Sequence, residues 1–292
     1  MEIPLVNLIV AGILEGSIYA LIALGISLII GVMNIVNVAH GDLMIFGAIS
    51  AFWLCSLFGM DPFLTIVIVV PLTFGAGVFI QKFIVGPSIR HVEYATTASL
   101  IVTYGLALII MQSEFLVWSP DYRIITTSYT GTNVAVGDYS FNLMRLIGLA
   151  VVIGIFILLR LMTGKTGFGR AIRACTQDRD AARTLGVNFE KMAYLTFGLS
   201  ASLASIAGLL YILTHVLNPA YGFTLTIKGF VALILGGMGS LAGPLIAGLL
   251  IGVFENLGVY YFGGLWKDTV PYIILLIVLL IRPRGILGKE EA

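Results

Sequence analysis

The sequence predicts an all-α protein, a polytopic transmembrane bundle of about eight or nine membrane segments with two broken or re-entrant pieces. Hydrophobic residues make up 59% of the 292 residues, only 11% are charged, and the mean hydropathy is +1.05. So few charges cannot cover the surface of a soluble domain of this length. Apolar runs of about 20 residues, long enough to cross roughly 30 Å of hydrocarbon as helices, recur along the chain.

Nine apolar segments follow one another, and turn residues separate several of them, as at Asn218 and Pro219. The span 226–237 is too short for a full crossing, so eight crossings plus a re-entrant piece is an alternative to nine. We expect the whole chain, 1–292, to form a single transmembrane domain. The segments are 5–32, 37–58, 63–84, 95–117, 143–161, 192–215, 226–237, 243–262 and 268–282.

The basic residues indicate which side of the membrane each loop faces. Twelve of the sixteen Lys and Arg residues fall on one side if the segments alternate across the membrane. Because cytoplasmic loops carry an excess of bases, we expect 82–93, 160–191 and the C-terminus inside, and the loop 118–142 and the N-terminus outside. The twelve are Lys82, Arg90, the seven bases of 160–191, Arg282, Arg284 and Lys289, whereas Arg123, Arg145, Lys228 and Lys267 lie near the other side.

The polar run 163–190, which we call the basic loop, lies between two apolar segments. Its alanines favour helix, Asp178 is placed to cap a second short helix, and Gly186 suits the end of that helix. This much helix-forming structure predicts a docking site for a soluble cytoplasmic partner; the alternative is a solvated loop that contacts anionic lipid. The expected contact residues are Gly169, Arg170, Arg173, Ala174, Gln177, Asp178, Ala181, Ala182 and Gly186.

Two Gly-rich polar breaks interrupt apolar stretches, the first break at 31–44 and the second break at 236–246. Backbone leaves a helix at membrane depth only where protein or a water-filled cavity supports it, and paired breaks point to the substrate path of transporters. We also expect Asp42 to cap a helix start. The alternative is two tight surface turns, or close helix packing by small residues. The expected path residues are Asn34, Asn37, His40, Gly41, Asp42, Gly236, Gly237, Gly239 and Ser240.

Charged side chains also occur within or at the edges of apolar segments. A charge at the bilayer centre costs about 2.5–3.5 kcal/mol on insertion scales, so such groups usually face protein or water. We expect Glu15 and Glu255 to form internal pairs, and contact with a substrate ammonium is the alternative. The full set is Glu15, Asp42, Glu114, Lys228 and Glu255.

Nothing in the sequence predicts that this chain binds ATP or a metal. Residues 163–166, TGKT, resemble the end of a phosphate-binding loop, but Leu159 stands where that motif requires its first glycine, and a membrane segment precedes it. The three histidines have no metal-ligand spacing, and Cys55 and Cys175 are far apart in the sequence. We therefore expect no cofactor on this chain.

Four blocks of the sequence resemble the permease subunits of bacterial ATP-binding cassette (ABC) importers, most closely the branched-chain amino-acid permease family. The basic loop reads G-R-A-I-R-A-x-x-Q-D-x-x-A-A-x-x-x-G at 169–186 and is similar to the ATPase-coupling loop of that family. The blocks cover both ends and the middle of the chain. The other three are GSIYALIALGISLIIGVMNIVNVAHGDLMIFGA at 16–48, ILGGMGSLAGPLIAG at 234–248 and IRPRGILG at 281–288.

The resemblance implies a multi-pass component of the bacterial inner membrane that belongs to a high-affinity leucine, isoleucine and valine importer. Two cytoplasmic ATPase subunits would bind ATP and Mg²⁺, a second related permease would pair with this chain, and a periplasmic binding protein would deliver the substrate. The chain itself would be a transport subunit and no enzyme, in contact with lipid and not with nucleic acid. Similar permeases import urea, short amides or other small solutes, which are the alternative cargo.

Two other functions fit the same segments. A stand-alone secondary transporter or channel predicts transport without an ATPase, and activity that survives deletion of 170–186. A membrane scaffold or enzyme subunit predicts unaltered uptake when the chain is lost.

Overall fold

The computed structural model describes residues 5–90, 92–136, 139–282 and 285–287, and these residues form mainly helices. Within these ranges, eight helical segments are long and apolar enough to cross a membrane, which confirms the predicted polytopic bundle. Arg284 and Lys289, two of the twelve bases counted above, lie outside the described residues. The first six helices are α1 (Leu5–Met33), α2 (His40–Phe58), α3 (Pro62–Ile80), α4 (Gly86–Ile89), α5 (Ala95–Trp118) and α6 (Leu143–Lys165).

The second half of the chain begins with the two short helices of the basic loop. A π-helical turn, Gln81–Val85, joins α3 to α4, and a two-stranded antiparallel hairpin, β1 (Asn133–Val136) and β2 (Tyr139–Asn142), precedes α6. The remaining helices are α7 (Gly167–Gln177), α8 (Arg179–Thr184), α9 (Phe189–Ile212), α10 (Gly222–Gly236), α11 (Ala242–Phe262) and α12 (Thr269–Ile281).

The shortest membrane segment is not the one that the sequence predicted. A 3₁₀ turn, Pro219–Tyr221, continues into α10, and together they form an 18-residue apolar segment. The prediction that 226–237 is too short to cross is therefore wrong, and α12, with 13 residues, is shorter. The predicted segment left out residues 219–225, because Asn218 and Pro219 indicate a turn; in the structure that turn continues directly into α10.

Helix α1 lies at the centre of the bundle. It is apolar on all sides, as expected of a helix that other helices surround, and Leu21, Ile22 and Leu24 are fully buried. It packs antiparallel to α11 through glycines: a Cβ atom on Gly16 would lie 2.5 Å from the carbonyl oxygen of Gly248. Small residues at this interface let the two backbones approach closely.

The bundle has two ends, which we call the basic end and the outer end. Residues 30–32, in the last turn of α1, line a cavity together with Gln177 of the basic loop, so α1 finishes at the basic end. Glu15, in the first half of α1, contacts His215, which follows α9. Leu217 then pairs with Arg123 of the loop 118–142, which places that loop at the outer end.

Candidate functional site

The basic loop folds into two capped helices, as the sequence predicts. The Asp178 carboxylate accepts hydrogen bonds from the backbone N–H groups of Asp180 and Ala181, at 2.9 and 3.0 Å, and so caps α8. Gly186 has φ +84°, and the N–H group of Val187 donates to the Ala182 carbonyl at 3.0 Å. This left-handed residue with its backbone bonds ends α8. Both local predictions, the Asp178 cap and the Gly186 stop, are confirmed.

The first helix of the basic loop, α7, is attached to the end of α6. A Cβ atom on Gly169 would lie 2.2 Å from the Met162 carbonyl oxygen, so a side chain at this position would separate the two helices. The Arg173 guanidinium donates to the Thr163 carbonyl, one of the acceptors that the end of α6 leaves free. Ile172 and Cys175 are buried on the same face of α7. Movement of α7 is therefore transmitted to α6, a membrane helix.

The predicted contact residues divide into an exposed face and a packed face. Gly169 and Ala182 are buried and Ala174 is half-buried, so these three hold the loop together. Leu185, which the sequence analysis missed, is 80% exposed between the end of α8 and Gly186. Its signal in the sequence is an apolar side chain next to a helix stop. The exposed predicted residues are Arg170, Arg173, Gln177, Asp178, Ala181 and Gly186.

The basic loop and the first break meet at a cavity of about 250 Å³. Gln177 and Cys175 line it from the loop, and Asn34 lines it from the first break. Asn34 is exposed and has φ +52°, a left-handed conformation that asparagine tolerates. Gln177, a predicted docking residue, and Asn34, a predicted path residue, therefore line the same cavity.

From Asn34 the chain runs non-helically along α5 for six residues, 34–39. The Ser99 hydroxyl accepts from the N–H of Val36 at 3.2 Å, and Thr103 accepts from the N–H of Val38 at 3.0 Å. Thr96 donates to the Asn34 carbonyl at 3.1 Å. The three hydroxyls lie on one face of α5. They form hydrogen bonds with backbone groups that could not be left without a partner at membrane depth. The spacing 96, 99, 103 is the helical signal that the sequence analysis missed.

The first break ends where the N-termini of α2 and α10 meet. The Gly41 N–H donates to the Thr226 hydroxyl at 2.7 Å, and a Cβ atom on Gly41 would lie only 1.9 Å from the Gly222 carbonyl oxygen. Ser200 of α9 bonds the Gly25 carbonyl at 2.8 Å and lies 3.3 Å from Nδ1 of His40. Since Gly25 precedes the end of α1 by two turns, this junction lies roughly 12 Å inside the bundle.

Several polar groups at this junction are buried and have no hydrogen-bond partner among the described residues. They are Nδ2 of Asn37, Nε2 of His40, Oδ2 of Asp42 and both carboxyl oxygens of Glu114. Each of these side chains is at most 2% exposed. Buried polar groups are nearly always bonded, so this concentration sets the junction apart from ordinary packing.

Asp42 does not cap α2 in the way that the sequence predicted. The helix begins at His40, which puts Asp42 inside its first turn, and no side-chain cap bond forms at Ala39, the residue before the helix. Instead, the side-chain oxygen Oδ1 of Asn37 accepts from the Ala39 N–H at 3.1 Å. The Asp42 carboxyl still lies where the positive end of the helix dipole favours negative charge.

The second break is the turn between α10 and α11. Gly237 and Gly239 have φ values of +93° and +92°, and Ser240 is half-buried with its hydroxyl 3.3 Å from the Gly243 N–H. The C-terminal segment closes it, because the N–H groups of Ile286 and Leu287 donate to the Leu235 and Gly236 carbonyls.

Glu15 and Glu255, two buried carboxylates, form internal pairs, as predicted. The Lys228 ammonium lies 2.6 Å from Glu255 and 2.8 Å from Asp268. The Glu15 carboxylate lies 2.7 Å from the Lys267 ammonium. Such pairing lets ionised groups stay inside a membrane protein.

Comparison with known proteins identifies the family. The family model for the branched-chain amino acid transport system permease component matches residues 8–279. The chain belongs to this family. BraD, the high-affinity branched-chain amino acid transport system permease protein of Pseudomonas aeruginosa, is 33% identical over 97% of this chain and 95% of its own length. LivH of Escherichia coli, a permease protein of the same description, is 31% identical over 96% of this chain and 94% of its own length.

A solved structure supports the fold. PsaBC from Streptococcus pneumoniae, in complex with Fab, superposes with a TM-score of 0.52 over 94% of this chain and 91% of that chain. The two sequences share 16% identity, so the likeness concerns the fold alone.

Proposed function

We propose that this chain is the permease subunit of an ABC importer that moves branched-chain amino acids across the bacterial inner membrane. The basic loop docks onto cytoplasmic ATPase subunits, two per transporter, which bind ATP and Mg²⁺. A second, related permease pairs with this chain, and a periplasmic binding protein delivers the amino acid. Membership of the branched-chain amino acid permease family supports the cargo and the assembly.

The observation that carries this proposal is the exposed face of the basic loop. Leu185 is 80% exposed at the tip of a capped and otherwise polar helix pair. Burying a leucine side chain contributes about 1.5–3 kcal/mol, so a groove on an ATPase would gain this energy. Arg170 and Asp178, which are also exposed on the basic loop, add charges of both signs, and these favour one orientation of the partner.

The geometry provides a route from the basic loop to the interior. ATPase closure moves α7, and α7 moves with the end of α6 because Gly169 and Arg173 hold the two together. The cavity that Gln177 shares with Asn34 then changes shape, and the first break transmits the change to the junction of α2 and α10. Because a substrate shifts an equilibrium only by its differential affinity for the two states, the energy for this cycle comes from ATP on the partner chains.

The outer loop 118–142 is the proposed contact for the binding protein. The Arg123 guanidinium lies 5.1 and 5.0 Å from the ring centres of Phe52 and Trp53 at the end of α2. Cation–π contacts of this kind attach the loop to a helix that begins at the junction. A partner seated on the outer loop would therefore act on the same helix as the first break.

The test compares two exposed leucines at opposite ends of the bundle, Leu185 (80% exposed) and Leu265 (95% exposed). The affinity-tagged chain is retrieved from solubilised membranes of its own host, and the ATP hydrolysis retained with it is measured. We expect Leu185→Asp to lower the retained ATPase activity about tenfold, in line with a lost apolar anchor. The matched variant Leu265→Asp is expected to retain the full activity. Equal retention by both variants, or no ATPase activity with the unchanged chain, would contradict the proposal.

The cargo is tested separately in cells that lack this chain. Uptake of radiolabelled leucine, valine and urea is compared with and without the restored gene. We expect restoration of leucine and valine uptake, whereas restoration of urea uptake alone would assign the importer to a different solute.

A further inference from the structure

A second cavity, of about 510 Å³, lies at the basic end beside the basic loop. The end of α1, the π-helical turn Gln81–Val85 with α4, and the start of α9 form its walls. It shares one lining residue, Arg179, with the cavity that Asn34 and Gln177 line. We call it the basic cavity.

Four bases line the basic cavity: Lys82, Arg90, Arg179 and Arg183. Among the described residues that line it, one carboxylate faces them, Glu190, and it pairs with Arg90 at 2.8 Å. Asp180 lies 3.6 Å from Arg183 but does not line the cavity. The wall therefore carries a clear excess of positive charge.

The two arginines of the loop are held in place by an aromatic ring. The guanidinium carbons of Arg179 and Arg183 lie 4.8 and 5.5 Å from the ring centre of Phe189. Burial, and then the charge of Arg183, lower the pKa of Arg179 from its ordinary value. An anion that bridges two guanidiniums fixed side by side in this way can accept charge-assisted hydrogen bonds from both, which stabilises its binding.

One side of the basic cavity adjoins surface suited to acyl chains. Phe79 and Phe83, on the turns that carry Lys82, are 57% and 58% exposed, and their ring centres lie 4.9 Å apart. The Lys82 ammonium lies 5.2 Å from the centre of the Phe83 ring. Exposed aromatic rings beside a base, at the end of a membrane helix, suit a lipid whose headgroup is anionic.

We infer that the basic cavity binds the phosphate group of an anionic phospholipid, whose acyl chains lie along α3. The lipid would join α3 and α4 to the basic loop through Lys82, Arg179 and Arg183. This site does not depend on the cargo or on the ATPase partners proposed above.

The experiment measures binding of fluorescent phosphatidylglycerol to the full-length chain purified in a neutral detergent. Phosphatidylcholine with the same acyl chains and the same fluorophore is the reference lipid. We expect Lys82→Gln and Arg179→Gln each to weaken phosphatidylglycerol binding about tenfold, as the loss of one charge-assisted contact to phosphate predicts. The matched control is Arg160→Gln, which removes an exposed base of α6 that does not line the basic cavity. Size-exclusion profiles identify the variants that fold.

Each outcome decides one point. Weakening by Lys82→Gln and Arg179→Gln but not by Arg160→Gln supports the site. Equal weakening by all three variants, or equal binding of the two lipids, overturns it, because general surface charge would then explain the attraction. Inorganic phosphate added as a competitor separates the sources: its failure to displace phosphatidylglycerol assigns the site to lipid, and displacement assigns the phosphate chemistry to a soluble ligand instead.

Discussion

The first and second breaks resemble each other in sequence but differ in what supports their backbones. Side-chain hydroxyls of α5 and α10 bond the first break, whose end lies inside the bundle beside fully buried His40. Backbone groups of the C-terminal segment close the second break, where Met238 is 62% exposed. A Gly-rich interruption of an apolar stretch therefore does not indicate what supports its backbone. The polar residues of the neighbouring helices do.

This difference assigns different roles to the two breaks. The first break connects a cavity below the basic loop with a junction of two helix N-termini that carries unpartnered polar groups. The second break joins α10 to α11 by a tight turn. We therefore expect substitutions at the buried junction of the first break to affect stability and transport together, and a substitution at Gly239, in the exposed turn of the second break, to affect stability only slightly.

The largest expected effect is that of Gly41→Ala. The added methyl group would lie 1.9 Å from the Gly222 carbonyl oxygen, and because both partners are backbone, the ends of α2 and α10 must separate. Overpacking of this kind costs about 3 kcal/mol or more. Thermal denaturation of the purified protein and leucine uptake should both show the loss. Gly31→Ala, where nothing lies within 4 Å, is the control, and an equal melting temperature for the two variants would refute the close approach.

A smaller effect is expected from Ser99→Ala. It leaves the Val36 N–H without its acceptor inside the protein, which costs about 1–3 kcal/mol. Ser113→Ala on the same helix removes only an exposed hydroxyl that bonds the Ile109 carbonyl, so it should be neutral. Denaturation midpoints of the two variants measure the difference. If they coincide, the hydroxyls of α5 do not support the first break.

In the second break we expect Gly239→Ala to have a modest effect. Its φ of +92° disfavours a side chain, but nothing lies within 4 Å of the added methyl group, so the cost is about 1 kcal/mol. Leucine uptake should stay near the level of the unchanged chain. An uptake defect as severe as that of Gly41→Ala would place the second break on the substrate path after all.

The smallest effect is expected at the outer loop, which belongs to neither break. Burial, and then its hydrogen bond to Asp61, raise the pKa of Tyr129 to about 12. Since the raised pKa favours the protonated form in the folded state, this contact stabilises the fold below about pH 10. The contribution is lost as the pH rises from 10 to 12. In the ultraviolet titration of tyrosinate, Tyr129→Phe should remove one group that titrates late, near pH 12. Loss of a group that titrates near pH 10 instead would contradict the contact.

Much of the fold follows from local sequence rules. The length of the apolar runs predicted the membrane helices, and cap chemistry predicted the second helix of the basic loop from Asp178 and Gly186. These features depend on residues close together in the chain, where propensity and capping act directly.

The features that the sequence did not predict depend on distant residues. The start of α10 was missed because Asn218 and Pro219 indicate a turn, whereas Gly222, just after them, packs as the first residue of α10 against Gly41 of α2. The closure of the second break joins Leu235 to Ile286. Leu185 was missed because its position next to the Gly186 helix stop indicates a loop, whereas its 80% exposure depends on how the folded loop packs.

The central claim is that motion of the basic loop reaches the first break through the cavity that they share. In a chain with Cys55→Ala and Cys175→Ala, Asn34→Cys and Gln177→Cys can be joined by a short cleavable cross-linker, because both positions are exposed and line that cavity. Leucine uptake is then measured before and after joining. We expect cross-linking to stop uptake and cleavage of the linker to restore it. Full uptake with the cross-link complete would contradict the claim.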